Sequence, residues 1–260
     1  MKRFFTNITK YYKYAVYQAK AELKSEIVNS YLNWMWWFLD PICYMLIYTF
    51  IVEVVFRTSE PYFPVFVFLG LTAWDLFNRI VMGSVKTVKN NVGIINKVYV
   101  PKYVFLFSKS LVFLFKYIIS FIITIALMII FQVPVTLQVL NFPLILICLY
   151  TVAFGCGTIL LHFGVFVEDL SNITNILFRL LFYFSGIFYN ISTRIPKPFA
   201  TIMLICNPIA FCINQFRKIF IYGSAPNYIG LLLWFLVGCG LTAIGVKLIH
   251  KYESSYAKVV

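Results

Sequence analysis

YVFLFSKSLVFLFKYIISFIITIALMIIF, residues 103–131, decides the fold. The run is apolar almost throughout and exceeds the roughly 20 residues an α-helix needs to cross a bilayer core. Its apolar residues do not alternate with polar ones, so it reads as a membrane helix and not as a barrel strand. Working outward, further spans fall at about 34–56, 62–83, 143–167, 172–190 and 228–249. The rest of the chain agrees. Its 260 residues are 62% hydrophobic, 20% aromatic and only 12% charged, more apolar surface than a soluble domain of that length can hide from water. The fold class is therefore an all-α integral membrane protein with six transmembrane helices. The first apolar run, starting near Trp34, is too long for the h-region of a signal peptide and is expected to stay in the membrane.

The formal net charge of +13 is spread over tails and loops, with no cluster that would suit nucleic acid. Topology accounts for it better. With the N-terminus inside, the cytosolic side receives Lys2, Arg3, Lys10, Lys13, Lys20, Lys24, Lys86, Lys89, Lys97, Lys102, Lys247, Lys251 and Lys258. The outside receives only Arg57, Arg194, Lys197, Arg217 and Lys218. Both termini are thus expected in the cytosol. The cysteines form no C-x-x-C pair, and His162 and His250 stand alone, so no metal site is expected.

Residues 1–33 form a segment of their own. Tyr12, Val16, Ala19, Leu23 and Ile27 make one apolar helical stripe, with lysines and glutamates elsewhere. Such a helix would lie along the inner membrane surface, its lysines facing anionic headgroups. A solvated basic tail that only sets topology is the alternative. A second oddity occupies 191–227. PFATIMLIC (198–206) is too short to span, Asn207-Pro208 follows, and IAFCINQFRKIFIY (209–222) comes next. Two short helices that dip into the outer leaflet and return fit this pattern; a single kinked span is the rival. The chain is read as one domain: spans one to five over 34–190, the sixth over 228–249, and a cytosolic tail at 250–260.

Charges inside the membrane face partners, water or function. Asp75 and Lys109 lie roughly 12 and 9 Å from the inner ends of consecutive helices at 1.5 Å per residue, and are expected to pair, with Arg179 able to compete. Trp34, Trp36, Trp37 and Phe38 suit an interfacial belt. Tyr44 and Tyr48 share one face of the first span, and Phe182, Tyr183, Phe184 and Tyr189 crowd the fifth. Aromatic faces pack against the C–H faces of sugars, and tyrosine adds a hydroxyl, so these six are candidate channel-lining residues. Ordinary helix packing stays open for each.

SVKTVKNNVGIINKVYVPK (84–102) is a basic loop in which Val85, Val88, Val92 and Ile95 recur at helical spacing. The chain has no G-x-x-x-x-G-K-[ST], no H-E-x-x-H and no Ser/His/Asp arrangement. No catalytic residue is expected. A membrane subunit that receives work from a partner fits better than an enzyme.

Several motifs, in order, carry a resemblance. SYLNWMWWFLDPICYMLIYTF presents Ser30, Leu32, Trp36, Pro41, Tyr48 and Thr49; NVGIINKVYVP presents Asn91, Ile94, Ile95, Lys97 and Pro101. VEDLSNITNILFRLLFYFSGIFY presents Val167, Asp169, Arg179, Leu181, Phe182, Tyr183, Phe184, Ser185 and Ile187, and Asn207-Pro208 follows. Together they resemble the ABC type-2 exporter permeases of polysaccharides and teichoic acids. The resemblance implies six spans, an interface helix, and two outer re-entrant gate helices that meet at Asn207-Pro208. It implies a homodimer, with each copy docking a separate ATPase that carries ATP and Mg. Val85, Val88, Asn91, Val92, Ile94, Ile95 and Lys97 would form the coupling helix seated on that ATPase, and no cofactor would bind this chain. The implied cargo is a lipid-linked polysaccharide or teichoic-acid-type polymer, moved out across a bacterial cytoplasmic membrane. A drug or small-lipid permease, and a non-transporting scaffold for glycan synthesis, are the alternatives. The cytosolic entrance would involve Glu26, Glu168 and Asp169. Glu26 and Glu168 stand where the family has arginine, so the entrance contacts must differ.

Overall fold

The computed structural model describes residues 2–28, 31–57, 60–95, 97–253 and 256, with only the backbone of Lys2 and Asn33. Ser30 and Lys258 lie outside the described residues. No strand occurs among the described residues. The helices are α1 (Lys2–Val28), α2 (Trp36–Thr49, entered through a 3₁₀ turn at Asn33–Met35 and continued by a π-helical stretch at Phe50–Val55), α3 (Phe63–Val85), α4 (Thr87–Asn90), α5 (Val92–Ile95) and α6 (Lys102–Ile130). After a 3₁₀ turn at Leu137–Asn141 come α7 (Phe142–Phe166), α8 (Leu170–Phe184), α9 (Ile191–Arg194), α10 (Lys197–Cys206), α11 (Pro208–Phe220) and α12 (Tyr228–Lys251). Proline stands in the first turn of α3, α7, α10 and α11, where its missing N–H has no intrahelical acceptor to lose.

Among the described residues, five stretches are long and apolar enough to cross a membrane: Trp36–Val55, Phe63–Val85, Lys102–Ile130, Leu137–Phe166 and Tyr228–Lys251. The expected fifth span at 172–190 is shorter than that. α8 has 15 residues, about 22 Å at 1.5 Å each against a core of about 30 Å. It stops because Gly186 takes a left-handed φ of +65°, a conformation that ends helices. α10 and α11 are the two short helices expected around Asn207-Pro208, and they meet at 102°. α6 is the opposite case: its 29 residues reach about 44 Å.

The core is the packing of α3, α7 and α12. α7 and α12 approach through glycines. A Cβ on Gly155 would sit 2.7 Å from the Gly238 carbonyl, and one on Gly238 2.8 Å from the Val152 amide nitrogen. Small residues let membrane helices meet backbone to backbone, where dispersion replaces the absent hydrophobic drive.

α1 packs along the first half of α6. Asn7 Nδ2 donates to the Tyr103 hydroxyl at 2.8 Å, and Ser108 Oγ donates to the Ala15 carbonyl at 2.9 Å. The buried face is Phe4, Ala15 and Ala19, with Ile8 and Tyr11 beside it. The apolar stripe expected to lie on the membrane surface is a neighbouring face, rotated from the one packed on α6. Only Ala19 is shared; Tyr12 is exposed and Val16, Leu23 and Ile27 flank the contact. The start of α1, the loop before α6 and the end of α12 gather at one end of the bundle, where Lys102 meets Glu253 at 3.9 Å. The Tyr256 hydroxyl and His162 Nδ1 share a buried hydrogen bond of 2.6 Å there. Arg194 meets Glu60 at 3.7 Å at the other end.

Candidate functional site

α2, α3 and α6, with Glu26 of α1 and Phe182 of α8, line an open cavity of about 480 Å³. Helical spacing builds its walls. Trp37, Asp40, Tyr44 and Tyr48 lie on one face of α2, Thr72, Asp75 and Arg79 on one face of α3, and Phe113, Lys116 and Ser120 on one face of α6. Trp36, Trp74 and Phe182 add rings, with Trp74 and Phe182 edge to face at 5.3 Å. Pro41 also lines the cavity, inside α2; a proline there leaves the carbonyl one turn back without its usual donor.

The charged wall differs from expectation. Asp75 pairs with Arg79, not with Lys109. Arg79 Nε lies 2.6 and 2.7 Å from the two Asp75 oxygens, and its Nη2 lies 3.7 Å from Asp40. The physical reason is local: Arg79 sits one turn further along the same helix, where its Nε–H lies between both oxygens of the Asp75 carboxylate and its Nη2 is left to approach Asp40. Lys109 neighbours Glu22 instead, where burial raises the carboxyl's pKa and the lysine's charge partly reverses the effect. Arg179 is exposed on α8 and does not compete.

Glu26 reaches the same cavity from the end of α1. Its carboxylate lies 2.7 Å from Lys116 Nζ and accepts from Trp37 Nε1 at 3.3 Å. Glu168 and Asp169, expected beside it, are exposed before α8 and line no part of the cavity. The expected aromatic set divides in the same way. Tyr44, Tyr48 and Phe182 line the cavity. Tyr183, 65% exposed, and Phe184 face outward, while the Tyr189 hydroxyl donates to the Tyr183 carbonyl at 2.8 Å.

The expected coupling helix is two helical turns, α4 and α5, broken at Asn91. Its stripe is divided as well. Val85 and Val88 are buried within this chain, Val88 to 2%, and cannot be offered to a partner. Gly164 makes this possible, because a Cβ there would collide with the Val85 carbonyl. Val92 and Ile95 are half-buried; Ile94, 38% exposed, and Lys97 face out. Asn91 is turned inward: its Nδ2 donates to the Thr87 carbonyl at 2.8 Å, and its Oδ1 accepts from Gln18 of α1 at 3.3 Å.

At the bend, Asn207 caps α11 by accepting from the amides of Ile209 (3.0 Å) and Ala210 (3.2 Å), and its Nδ2 donates to Ser185 Oγ at 3.1 Å. Pro208 is the first residue of α11. Arg217, counted from the sequence among the outside charges, is 4% exposed. It donates to the carbonyls of Phe66 (3.2 and 3.3 Å), Gly186 (2.7 Å) and Ile187 (2.7 Å), with its guanidinium 3.3 Å from the centre of the Phe66 ring. One signal for this was present: Arg217 shares a helical face with Ile213 and Phe220, both buried. No group of three or more His, Cys, Asp or Glu among the described residues is placed to hold a metal.

Comparison with known proteins adds the following. The family model described as ABC-2 type transporter matches residues 17–221. The O-antigen export system permease protein RfbA of Myxococcus xanthus is 27% identical over 235 residues, 90% of this chain and 88% of its own. A protein of the same name from Klebsiella pneumoniae is 27% identical over 240 residues, 92% of each chain. The polysialic acid transport protein KpsM of Escherichia coli is 23% identical over 213 residues, 80% of each.

Proposed function

The chain belongs to the ABC-2 type transporter family, and we propose that it is the membrane subunit of an exporter whose cargo is a polysaccharide. The observation that carries this reading is the cavity. Its rings and hydroxyls, Trp37, Tyr44, Tyr48 and Trp74 among them, share one wall with the acidic and basic side chains of Asp40, Asp75, Arg79 and Lys116. Sugars present C–H faces to stack on rings and hydroxyls to bond to polar groups; an oily drug has no use for Asp40 or Arg79. The relatives named for O-antigen and polysialic acid transport support the same cargo class.

In this reading the work comes from a separate ATPase holding ATP and Mg, two copies of it serving a homodimer of this chain in a bacterial plasma membrane. Both termini lie in the cytosol. The exposed remainder of the 85–97 segment, Ile94 and Lys97 foremost, meets the ATPase, while buried Val85 and Val88 fasten that segment to the bundle. α10 and α11 dip into the outer leaflet about Asn207 and gate the exit. The polymer is lipid-linked, of O-antigen or teichoic-acid type. Purification of the tagged chain from its own membrane tests the reading. A stoichiometric subunit with a P-loop, together with loss of surface glycan when the chain is depleted, is the expected result. Unaltered surface glycan would overturn it.

A further inference from the structure

The cavity is not neutral. Five charged side chains line it: Glu26, Asp40 and Asp75 against Arg79 and Lys116. Both cations are engaged within the chain. Arg79 is held by Asp75 at 2.6 Å, and Lys116 by Glu26 at 2.7 Å while lying 5.8 Å from the centre of the Trp37 ring. Asp40 is the carboxylate left over. Its only ion pair among the described residues is the long 3.7 Å approach to Arg79, and its side chain is half exposed. It stands three residues from Trp37 and four from Tyr44 on the cavity face of α2, so a sugar stacked on either ring brings its hydroxyls to that carboxylate.

Resting on the polysaccharide reading above, we propose that this cavity selects non-acidic sugar units, with Asp40 as the specificity-determining residue. An ionised carboxylate accepts from two neighbouring hydroxyls of a sugar, in hydrogen bonds stronger than neutral ones. The same carboxylate repels a polymer that carries a carboxylate or phosphodiester on each repeat, which sets aside the teichoic-acid type of the two cargo types proposed above. Among the described residues no free cation on the wall offsets this, because releasing Arg79 or Lys116 to the cargo would strand Asp75 or Glu26. Selection therefore acts by attraction of one class and by repulsion of the other. The cavity volume, about 480 Å³, falls within the roughly 300–1,000 Å³ of small-ligand sites, room for one or a few sugar units at a time.

The full chain in lipid nanodiscs provides the test, read by its own fluorescence, since Trp36, Trp37 and Trp74 line the cavity. The probes are a neutral galactose oligomer and a sialic-acid oligomer of equal length. The neutral oligomer should bind at least about ten-fold tighter at low salt, and the gap should shrink as salt rises. Asp40→Asn should narrow the gap by strengthening sialic-acid binding, and Asp40→Glu, which keeps the charge, should retain the preference. Equal binding of the two oligomers by the unaltered chain, or an unchanged ratio in Asp40→Asn, would overturn the selection while leaving the polysaccharide reading intact. Binding of neither oligomer would overturn both.

Discussion

α3 and α2 are neighbours built on opposite plans. In the most apolar 18 residues of α3, 78% are buried inside the chain; in α2 with its π-helical extension the figure is 11%. α3 belongs with α7, α11 and α12, which meet through glycines and through the Arg217 clamp. α2 and α8 supply Trp37, Asp40, Tyr44, Tyr48 and Phe182 to the cavity yet keep most of their surface free. The comparison separates two jobs. Residues that hold the bundle are hidden in its fixed half, and many of those with chemistry to offer ride on helices with few neighbours. Stability and function should therefore fail at different addresses.

That separation can be broken at the clamp first. Arg217→Met removes donors from the Phe66, Gly186 and Ile187 carbonyls and should cost about 3 kcal/mol, read as a lowered unfolding midpoint of the detergent-purified chain. Arg217→Lys should recover only part, since one ammonium cannot reproduce the fork. A Met variant of full stability would remove α11 from the fixed half. Next comes Gly155→Val, which must push the α12 backbone away and should cost about 2 kcal/mol. Gly240→Ala is its control in α12, where an added Cβ meets nothing within 4 Å; it should be neutral or slightly stabilising.

Smaller effects sharpen the picture around the loop. Val88→Ala should lose about 1.5 kcal/mol of stability from buried apolar surface. Ile94→Ala should lose almost none while weakening co-purification of the ATPase. Equal stability losses would mean that Val88 and Ile94 do not divide the stripe between bundle and partner. The smallest structural effect belongs to Tyr44→Ala, within about 0.5 kcal/mol for an exposed side chain. Surface glycan should nevertheless fall in cells carrying it, and a normal glycan level would take Tyr44 out of the cargo path.

The spans were legible because each is a long apolar run, and Asn207-Pro208 was legible because a cap followed by proline announces a new helix. The short α8 was not, since nothing in FYFSGIF states that Gly186 will turn left-handed. The Asp75–Arg79 pair was legible at i, i+4, and a partner one turn away on the same helix pre-empts the cross-helix pairing expected with Lys109. α1 illustrates another limit. Its sequence carries two adjoining apolar faces, and only the docking of α6 decides which is covered. Val88 was placed by tertiary structure alone: the space left by Gly164 on α7 draws the end of α3 inward, and half of the stripe goes with it.

The length of α6 has a mechanical consequence. A helix of about 44 Å in a hydrocarbon slab of about 30 Å overhangs by about 14 Å upright, and by about 11 Å at a 20° tilt. α1 is strapped to the first part of that overhang through Tyr103 and Ser108, and the α4–α5 loop is tied to α1 through Asn91 and Gln18. The loop is thus tied, through α1, to the first turns of a helix longer than the hydrocarbon core. Anything that seizes it pulls on a braced lever whose far end is the wall of the cavity, where Lys116 stands on the same helix.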